Sequence, residues 1–241
     1  MRRKPTMRNL LLVSNSTQHG HAYLEHCAAA AQELFAGCET IAFVPYALKD
    51  LDGYAATATE AFEVWGLTLK SVHLANDPLE FAQSVDGFFV GGGNTFRLNK
   101  IVHESGLGAV IRERTLAGET RYMGTSAGSN LACATIRTTN DMPIVQPPTF
   151  EALGLVPFQI NAHFIDADPD STHMGETRAK RIEEFHEEND TPVIGLREGA
   201  WLRVKGNEMV LEGTTGAVLF ERGKEPRECE TGLDLSALLK T

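Results

Sequence analysis

Long apolar runs and paired cysteines are both missing from this sequence of 241 residues. None of its apolar stretches approaches the ~18 uninterrupted residues of a membrane-spanning helix. The four cysteines form no C-x-x-C pair, which argues against a structural zinc site and is typical of reduced thiols in the cytoplasm. We therefore expect a cytoplasmic protein that does not act on a membrane.

Positive charge is also scarce, because 32 acidic residues outnumber 22 basic ones and give a net charge of −10. This balance argues against a nucleic-acid partner or an anionic membrane surface. An acidic ligand would have to be bound by local basic groups. The basic residues 1–8 lack the apolar run of a signal peptide, so we expect a disordered lead there and a single domain over residues 9–241.

Short apolar runs alternate with helical periodicity in the first half of the chain, and this alternation predicts the fold class. Strands are predicted at 9–13, 40–44, 69–74, 87–90 and 122–123, with helices at 21–35, 52–65, 79–84, 95–102 and 107–117 between them. Such a pattern is typical of a three-layer α/β domain with a largely parallel sheet. After residue 191, short β-type runs at 192–196, 200–204, 208–211 and 217–220 predict antiparallel strands at one edge of the same domain.

The corner around Ser126 is the first candidate for a reactive site. Gly124, Ser126 and Gly128 form the G-x-S-x-G pattern of a nucleophile elbow, in which a serine lies at a sharp turn between a strand and a helix. The pattern also occurs by chance in loops rich in glycine and serine, so other residues must decide. A second glycine-rich corner, residues 91–95, follows another predicted strand. Ligand sites in parallel sheets gather at these carboxyl ends of strands.

A nucleophilic serine needs a base and a group that orients the base. His163 follows the apolar run 155–160, which predicts a strand that ends on the same rim as Ser126, although a structural histidine is an equal alternative from position alone. For the acid, Glu198 follows a predicted strand, whereas Asp141 lies in an irregular segment where aspartate commonly caps a turn. The strand-end position favours Glu198. The order Ser, His, Glu differs from that of common α/β-hydrolases, which argues against a lipase or an esterase.

Several longer motifs accompany the elbow and are spread over nearly the whole chain. They are LLVSNST at 11–17, VGGGNTF at 90–96, SAGSNLAC at 126–133, TIRTTNDMPIV at 135–145, QINAHF at 159–164, GETR at 175–178 and EG at 198–199. Together they resemble peptidase E, the α-aspartyl dipeptidase family of serine peptidases. The resemblance implies a sheet related to the class I glutamine amidotransferase (flavodoxin-like) fold, a cytosolic enzyme without metal or cofactor, and small acidic dipeptides with an N-terminal aspartate as substrates.

The resemblance also implies roles for individual residues. Ser126 corresponds to the nucleophile and His163 to the base. The acid corresponds to either Asp141 or Glu198, and the strand-end position again favours Glu198.

The chemistry of such a reaction adds further requirements. The oxyanion formed during the attack needs N–H donors, which Ala127 and either Gly92 or Gly93 would supply. The aspartyl carboxylate of the substrate needs a cation. We expect Arg178 in this role, because a guanidinium can donate two parallel hydrogen bonds to a carboxylate, although a solvated helix arginine is the alternative. Asn94 is the candidate acceptor for the ammonium group of the substrate.

Two other functions stay open on the sequence. A cyanophycinase-like enzyme would cut β-aspartyl-arginine links and would need an acidic pocket for the arginine side chain. A non-catalytic binding protein on the same scaffold would use Ser126 only to close a turn. We expect a monomer or a homodimer in each case.

Overall fold

Two β-sheets organise the chain in the computed structural model, which describes residues 7–167 and 175–240. The strands are β1 (Asn9–Val13), β2 (Ile41–Val44), β3 (Leu69–Ser71), β4 (Gly87–Val90), β5 (Arg121–Thr125), β6 (Gln159–Phe164), β7 (Val193–Arg197), β8 (Ala200–Lys205), β9 (Glu208–Gly213), β10 (Ala217–Phe220) and β11 (Arg227–Cys229). The helices are α1 (Ala28–Leu34), α2 (Leu51–Val64), α3 (Pro78–Ser84), α4 (Thr95–Glu104), α5 (Leu107–Ala117), α6 (Ala127–Ala132) and α7 (Arg178–Glu188). Among the described residues, no helix has the length and apolar character needed to cross a membrane.

The larger sheet contains seven strands in the order β3-β2-β4-β5-β1-β8-β9. Its first five strands are parallel, and β8 and β9 continue the sheet in antiparallel pairing beside β1. The predicted α/β fold with a largely parallel sheet and antiparallel edge strands is thereby confirmed. The loops after β1, β4 and β5 lie at one rim of this sheet, because parallel strands end on the same side.

The smaller sheet contains four strands in the order β11-β10-β7-β6. The sequence predicted β7 and β10 as antiparallel strands at one edge of the domain, but it did not predict that they belong to a second sheet. The place beside β1 is taken by β8, so β7 pairs in parallel with β6 and in antiparallel fashion with β10. The smaller sheet therefore has its own parallel pair, and β6 and β7 end side by side.

Several predicted elements have different limits in the structure. The strand predicted at 69–74 ends at Ser71 and is followed by a 3₁₀ turn over Val72–Leu74. The strand predicted at 155–160 begins only at Gln159, because the N–H groups of Leu155 and Val156 donate to the Ala132 carbonyl at the end of α6, at 2.9 and 3.1 Å. The helix predicted at 21–35 begins at Ala28 as an α-helix and is preceded by a 3₁₀ turn. Local pattern alone could not set these limits, since packing against other elements decides them.

Capping side chains set the starts of α2, α3 and α4. Asp50 accepts a hydrogen bond from the Gly53 N–H at the start of α2, and Asp77 accepts from two N–H groups of α3. Asn94 accepts from the Arg97 N–H at the start of α4. Such caps satisfy N–H groups that have no partner within the helix. The cap at Asn94 fixes the junction between α4 and the glycine-rich corner.

The two sheets share one buried apolar cluster. It contains Leu12 and Leu202 from the larger sheet together with Ile160 and Ile194 from the smaller sheet, all fully buried. Burial of each such side chain contributes roughly 1.5–3 kcal/mol. This common core fixes the two sheets against each other, so residues at their strand ends can form one site.

Most of the N-terminal lead predicted over residues 1–8 cannot be compared with the structure. Residues 1–6 lie outside the described residues, but Arg8 is only 6% exposed. Its guanidinium donates to the Leu155 carbonyl at 2.6 Å and to the Gly206 carbonyl at 3.1 Å. Arg8 therefore belongs to the folded part, and the expectation that it lies in a disordered lead is wrong.

Candidate active site

Ser126 lies at a strained corner between β5 and α6. Its backbone angles are φ 51° and ψ −109°, a combination that residues with a Cβ atom rarely adopt. Glycines on both sides permit the corner. A Cβ atom on Gly124 would lie 2.5 Å from the Gly128 carbonyl group, and one on Gly128 would collide with the Val90 carbonyl oxygen. The Ser126 side chain remains partly exposed at this corner.

His163 lies within β6 and approaches the serine from the smaller sheet. Its Nε2 atom is 3.0 Å from the Ser126 Oγ atom, which is hydrogen-bonding distance. The residue has φ 54°, and the pairing of β6 with β7 shifts register between Ala162 and Phe164. A β-bulge of this kind redirects a side chain. The bulge therefore turns the imidazole toward Ser126.

Glu198 follows β7 and lies on the other side of the imidazole. Its Oε1 atom is 2.6 Å from the His163 Nδ1 atom. The backbone carbonyl of Glu198 accepts a hydrogen bond from the Thr215 hydroxyl at 2.8 Å. Ser126, His163 and Glu198 thus form a continuous hydrogen-bonded path from hydroxyl to imidazole to carboxylate. This is the arrangement in which an imidazole can accept a serine proton while a carboxylate holds its tautomer.

Asp141 contacts a different part of the structure. Its carboxylate accepts hydrogen bonds from the Thr95 N–H at 2.7 Å and from the Thr139 hydroxyl at 3.0 Å. It makes no hydrogen bond to His163 within the described ranges 7–167 and 175–240. The geometry therefore joins Glu198, the acid favoured by the strand-end position, to His163, and it assigns Asp141 to the start of α4.

The glycine-rich corner after β4 lies beside Ser126. A Cβ atom on Gly92 would lie 3.1 Å from the Ser126 Cβ atom, so the corner approaches the serine closely. Burial raises the pKa of Tyr54, and interactions with Tyr23 and the Gly92 backbone partly offset this effect. In the described part of the chain, the N–H groups of Gly93 and Ala127 have no acceptor. Gly93 and Ala127 are therefore free to act as donors in the predicted oxyanion hole.

Comparison with known proteins decides the family. The sequence model of peptidase family S51 matches residues 10–211. The chain belongs to peptidase family S51. It is 53% identical to "Peptidase E" of Streptomyces coelicolor over 96% of this chain and 95% of that protein. It is 46% identical to a Drosophila melanogaster protein named "Probable alpha-aspartyl dipeptidase" over 97% of this chain and 98% of that protein.

A solved structure agrees with the fold of this S51 member. The crystal structure of a peptidase from an acI-B1 actinobacterium covers 96% of this chain and 97% of its own, with a TM-score of 0.73 and 15% identity. The family model and the curated relatives confirm the resemblance to the peptidase E family found in the motifs. The chain is a serine-type peptidase.

Two cations of this S51 peptidase near the strand ends differ in their pairing. Arg197 donates to Asp166 at 2.7 and 2.8 Å and to Glu228 at 2.5 and 3.0 Å. These hydrogen bonds raise the pKa of Arg197 above its usual range. Arg197 lies directly before Glu198 in the chain, but two carboxylates already neutralise its charge.

Arg178 is partly buried at the first position of α7. Burial lowers the pKa of Arg178, Arg181 lowers it further, and Asp141 partly offsets both effects. Among the described residues, the Arg178 guanidinium has neither an ion pair nor a hydrogen bond. A partly desolvated cation without a partner carboxylate is suited to bind an acidic ligand.

Asn94 has both polar groups of its side chain engaged. The amide oxygen accepts from the Arg97 N–H at 3.0 Å, and the amide nitrogen donates to the Met142 carbonyl at 2.8 Å. A carbonyl oxygen has a second lone pair, so binding of a substrate ammonium by Asn94 stays a prediction. Its observed contacts are those of a helix cap that holds the segment after Asp141.

Cys27 and Cys133 are unsuited to act as nucleophiles. Burial raises the pKa of both Cys27 and Cys133 to about 12, so their thiols are protonated at neutral pH. In the described part of the chain, no group of three or more His, Cys, Asp or Glu side chains is placed to hold a metal ion.

Sequence reasoning missed the parts played by Ser14 and Asn15. Both are fully buried at the end of β1. Ser14 contacts the backbone of His163, and Asn15 contacts the backbone after Glu198. The only signal in the sequence was a polar stop directly after an apolar strand that ends on the same rim as Ser126.

Proposed function

We propose that this S51 peptidase hydrolyses dipeptides with an N-terminal aspartate through a triad of Ser126, His163 and Glu198. The observation that carries the proposal is the hydrogen-bonded path from the Ser126 hydroxyl through His163 to Glu198, with links of 3.0 and 2.6 Å. The curated Drosophila relative, named as an α-aspartyl dipeptidase, supports the substrate class. We assign this activity to the cytoplasm, where the four free cysteines would stay reduced.

The first half of the reaction forms an acyl-enzyme. The Ser126 oxygen attacks the carbonyl carbon of the peptide bond while His163 Nε2 accepts the hydroxyl proton. Glu198 holds the proton on Nδ1 and stabilises the imidazolium. The negative oxygen of the tetrahedral intermediate accepts hydrogen bonds from the Gly93 and Ala127 N–H groups. The C–N bond then breaks as the imidazolium gives its proton to the leaving amine, which departs as the second amino acid.

The second half releases aspartate. Water enters the place of the leaving amine and gives a proton to His163 while its oxygen attacks the aspartyl ester. The same N–H groups stabilise the second tetrahedral intermediate. Collapse of this intermediate breaks the ester bond, and His163 returns the proton to the Ser126 oxygen. Aspartate leaves and the resting enzyme is restored.

Arg178 is the residue that we propose to recognise the aspartyl side chain. Arg178 is partly buried and lacks a carboxylate among the described residues, whereas Arg197 is bound by two. Because the chain has a net charge of −10, long-range attraction does not favour an acidic substrate, and a local cation has to provide it. A bidentate guanidinium–carboxylate pair supplies both charge and orientation.

Replacement of Arg178 by alanine is expected to lower kcat/KM for Asp-Leu about 100-fold, because a charge-assisted pair to the substrate is lost. The low activity toward Ala-Leu should stay unchanged. Steady-state kinetics on both dipeptides measures the difference. Arg181→Ala is the matched control, since Arg181 lies on the same helix and pairs with Glu176 at 3.5 Å. An Arg178→Ala variant with the full preference for Asp-Leu would refute this assignment.

A panel of dipeptides tests the function as a whole. Asp-Leu is expected to be hydrolysed best, with Glu-Leu and Ala-Leu at least tenfold slower. β-Asp-Arg is the arm that detects a cyanophycinase-like enzyme. Faster release of arginine from β-Asp-Arg than of leucine from Asp-Leu would overturn the proposed substrate class. No hydrolysis of any member would favour a binding protein.

A further inference from the structure

The end of β1 contacts the backbone of every segment that carries a residue of the proposed triad. β1 is the strand of the larger sheet next to β5, and the loop after it reaches the smaller sheet. Three successive residues, Val13, Ser14 and Asn15, make these contacts. Each one uses a different group: a backbone carbonyl, a hydroxyl and a side-chain amide.

Val13 holds the corner that carries the serine. Its carbonyl oxygen accepts a hydrogen bond from the Ser126 N–H at 3.0 Å and another from the Ser129 hydroxyl at 2.7 Å. These bonds come from both ends of the strained turn. They therefore fix the turn to the end of β1.

Ser14 holds the bulge that carries the histidine. Its hydroxyl donates to the Leu196 carbonyl on β7 at 2.7 Å and accepts from the His163 N–H at 2.9 Å. In a β-bulge the extra residue loses its ladder partner, and a buried N–H without an acceptor is costly. The hydroxyl thus replaces the missing ladder partner of His163. It also stabilises the left-handed conformation that points the imidazole at Ser126.

Asn15 holds the turn that carries the acid. Its side-chain oxygen accepts from the Gly199 N–H at 2.9 Å, and its amide nitrogen donates to the Thr17 carbonyl at 3.0 Å. Gly199 has φ 84°, so the turn directly after Glu198 needs a residue that tolerates this angle. The buried amide therefore sets the position from which Glu198 reaches the imidazole.

We propose that Ser14 and Asn15 are positioning residues that align His163 and Glu198 with Ser126, an inference that rests on the proposed triad. Neither side chain touches the reacting atoms. Each acts through the backbone of a triad residue or of its neighbour, across the boundary between the two sheets. Loss of either contact leaves the three reactive groups present but misaligned.

The test is a double-mutant cycle between Ser14 and His163, measured on the full chain with Asp-Leu. Ser14→Ala is expected to lower kcat about 10- to 100-fold with KM changed less than about twofold, because misplacement of a reacting group by ~1 Å costs about this much. In the His163→Ala background, Ser14→Ala should change the residual rate less than about twofold. A purely structural role predicts instead the same factor in both backgrounds.

Ser71→Ala is the matched control for the loss of a buried serine hydroxyl. Ser71 is 7% exposed on the edge strand β3 of the larger sheet, where its hydroxyl contacts the Phe43 carbonyl at 3.4 Å and His73 Nδ1 at 2.6 Å. Its kcat should stay within about twofold of the wild-type value. If Ser14→Ala does not fold, the cycle of Asn15→Ala with Glu198→Ala tests the same claim through the acid. In that cycle, Asn15→Ala should lower kcat only when Glu198 is present.

The outcomes distinguish the positioning role of Ser14 from the triad itself. Equal losses from Ser14→Ala with and without His163 would overturn the positioning role while the triad stands. A His163→Ala variant with the wild-type rate would contradict the triad itself. Loss of kcat from Ser14→Ala only when His163 is present supports both.

Discussion

Replacement of Ser126 by alanine is expected to lower kcat for Asp-Leu by about 10⁴–10⁶, since removal of a triad nucleophile leaves only the contribution of binding and the oxyanion hole. KM should change little, because the hydroxyl contributes to the attack more than to substrate binding. The measurement is steady-state hydrolysis at high enzyme concentration. Thermal unfolding of the same preparation shows whether the variant is folded.

Ser129→Ala provides the control within the same corner. Ser129 is fully buried, and its hydroxyl shares one proton between the Val13 and Gly124 carbonyl oxygens, which lie 2.7 and 2.9 Å away. Its loss is expected to lower the melting temperature, with kcat reduced at most about tenfold. If Ser126→Ala kept more than a hundredth of the wild-type kcat, Ser126 would not be the nucleophile.

Replacement of Glu198 by glutamine is expected to lower kcat by about 10³–10⁴. Glutamine keeps the size of the side chain, but it removes the negative charge that stabilises the imidazolium and no longer fixes the proton on Nδ1. The 2.6 Å contact to His163 is the geometric basis for this large effect. Kinetics on Asp-Leu across pH 5–9 measures it.

Asp141→Asn is the matched change at the other acid. An asparagine oxygen can still accept from the Thr95 N–H, the bond of 2.7 Å that Asp141 makes, so kcat is expected to fall less than about tenfold. Removal of the negative charge near Arg178 should also leave KM for Asp-Leu equal or lower, because Arg178 then attracts the substrate carboxylate with less competition. A larger loss of kcat from Asp141→Asn than from Glu198→Gln would reverse the assignment of the acid.

The nucleophile corner was accessible from sequence because its chemistry is local. A tight turn at Ser126 requires small residues two positions away on each side, and these are printed in the chain as Gly124 and Gly128. Glu198 was accessible for a similar reason, since the end of a short apolar run is visible without knowledge of which sheet the strand joins. In both cases the sequence pattern predicts that the residue lies directly after a strand.

His163 was expected on the correct rim for an incomplete reason. The strand predicted before it ends at residue 160, whereas β6 continues through His163, and the imidazole is aimed by a bulge with φ 54°. A bulge depends on the pairing of β6 with β7, which no local pattern reveals. The second sheet was not predicted for the same reason, because an apolar run does not show which other strand it pairs with.

The contacts of Ser14 and Asn15 lay beyond any local pattern. Their hydrogen bonds join residues 149 and 184 positions apart, and only the packing of the two sheets brings these segments together. The sequence shows two polar residues after an apolar strand, which is equally typical of an ordinary loop.

Labelling with a fluorophosphonate tests the central claim most directly. Reaction of the folded wild-type chain, followed by intact mass and peptide mapping, is predicted to give a single adduct on Ser126. The adduct should form at least 100-fold more slowly in His163→Ala, because the imidazole no longer accepts the serine proton. Absence of an adduct in the folded protein, or an adduct on any residue other than Ser126, would contradict the account.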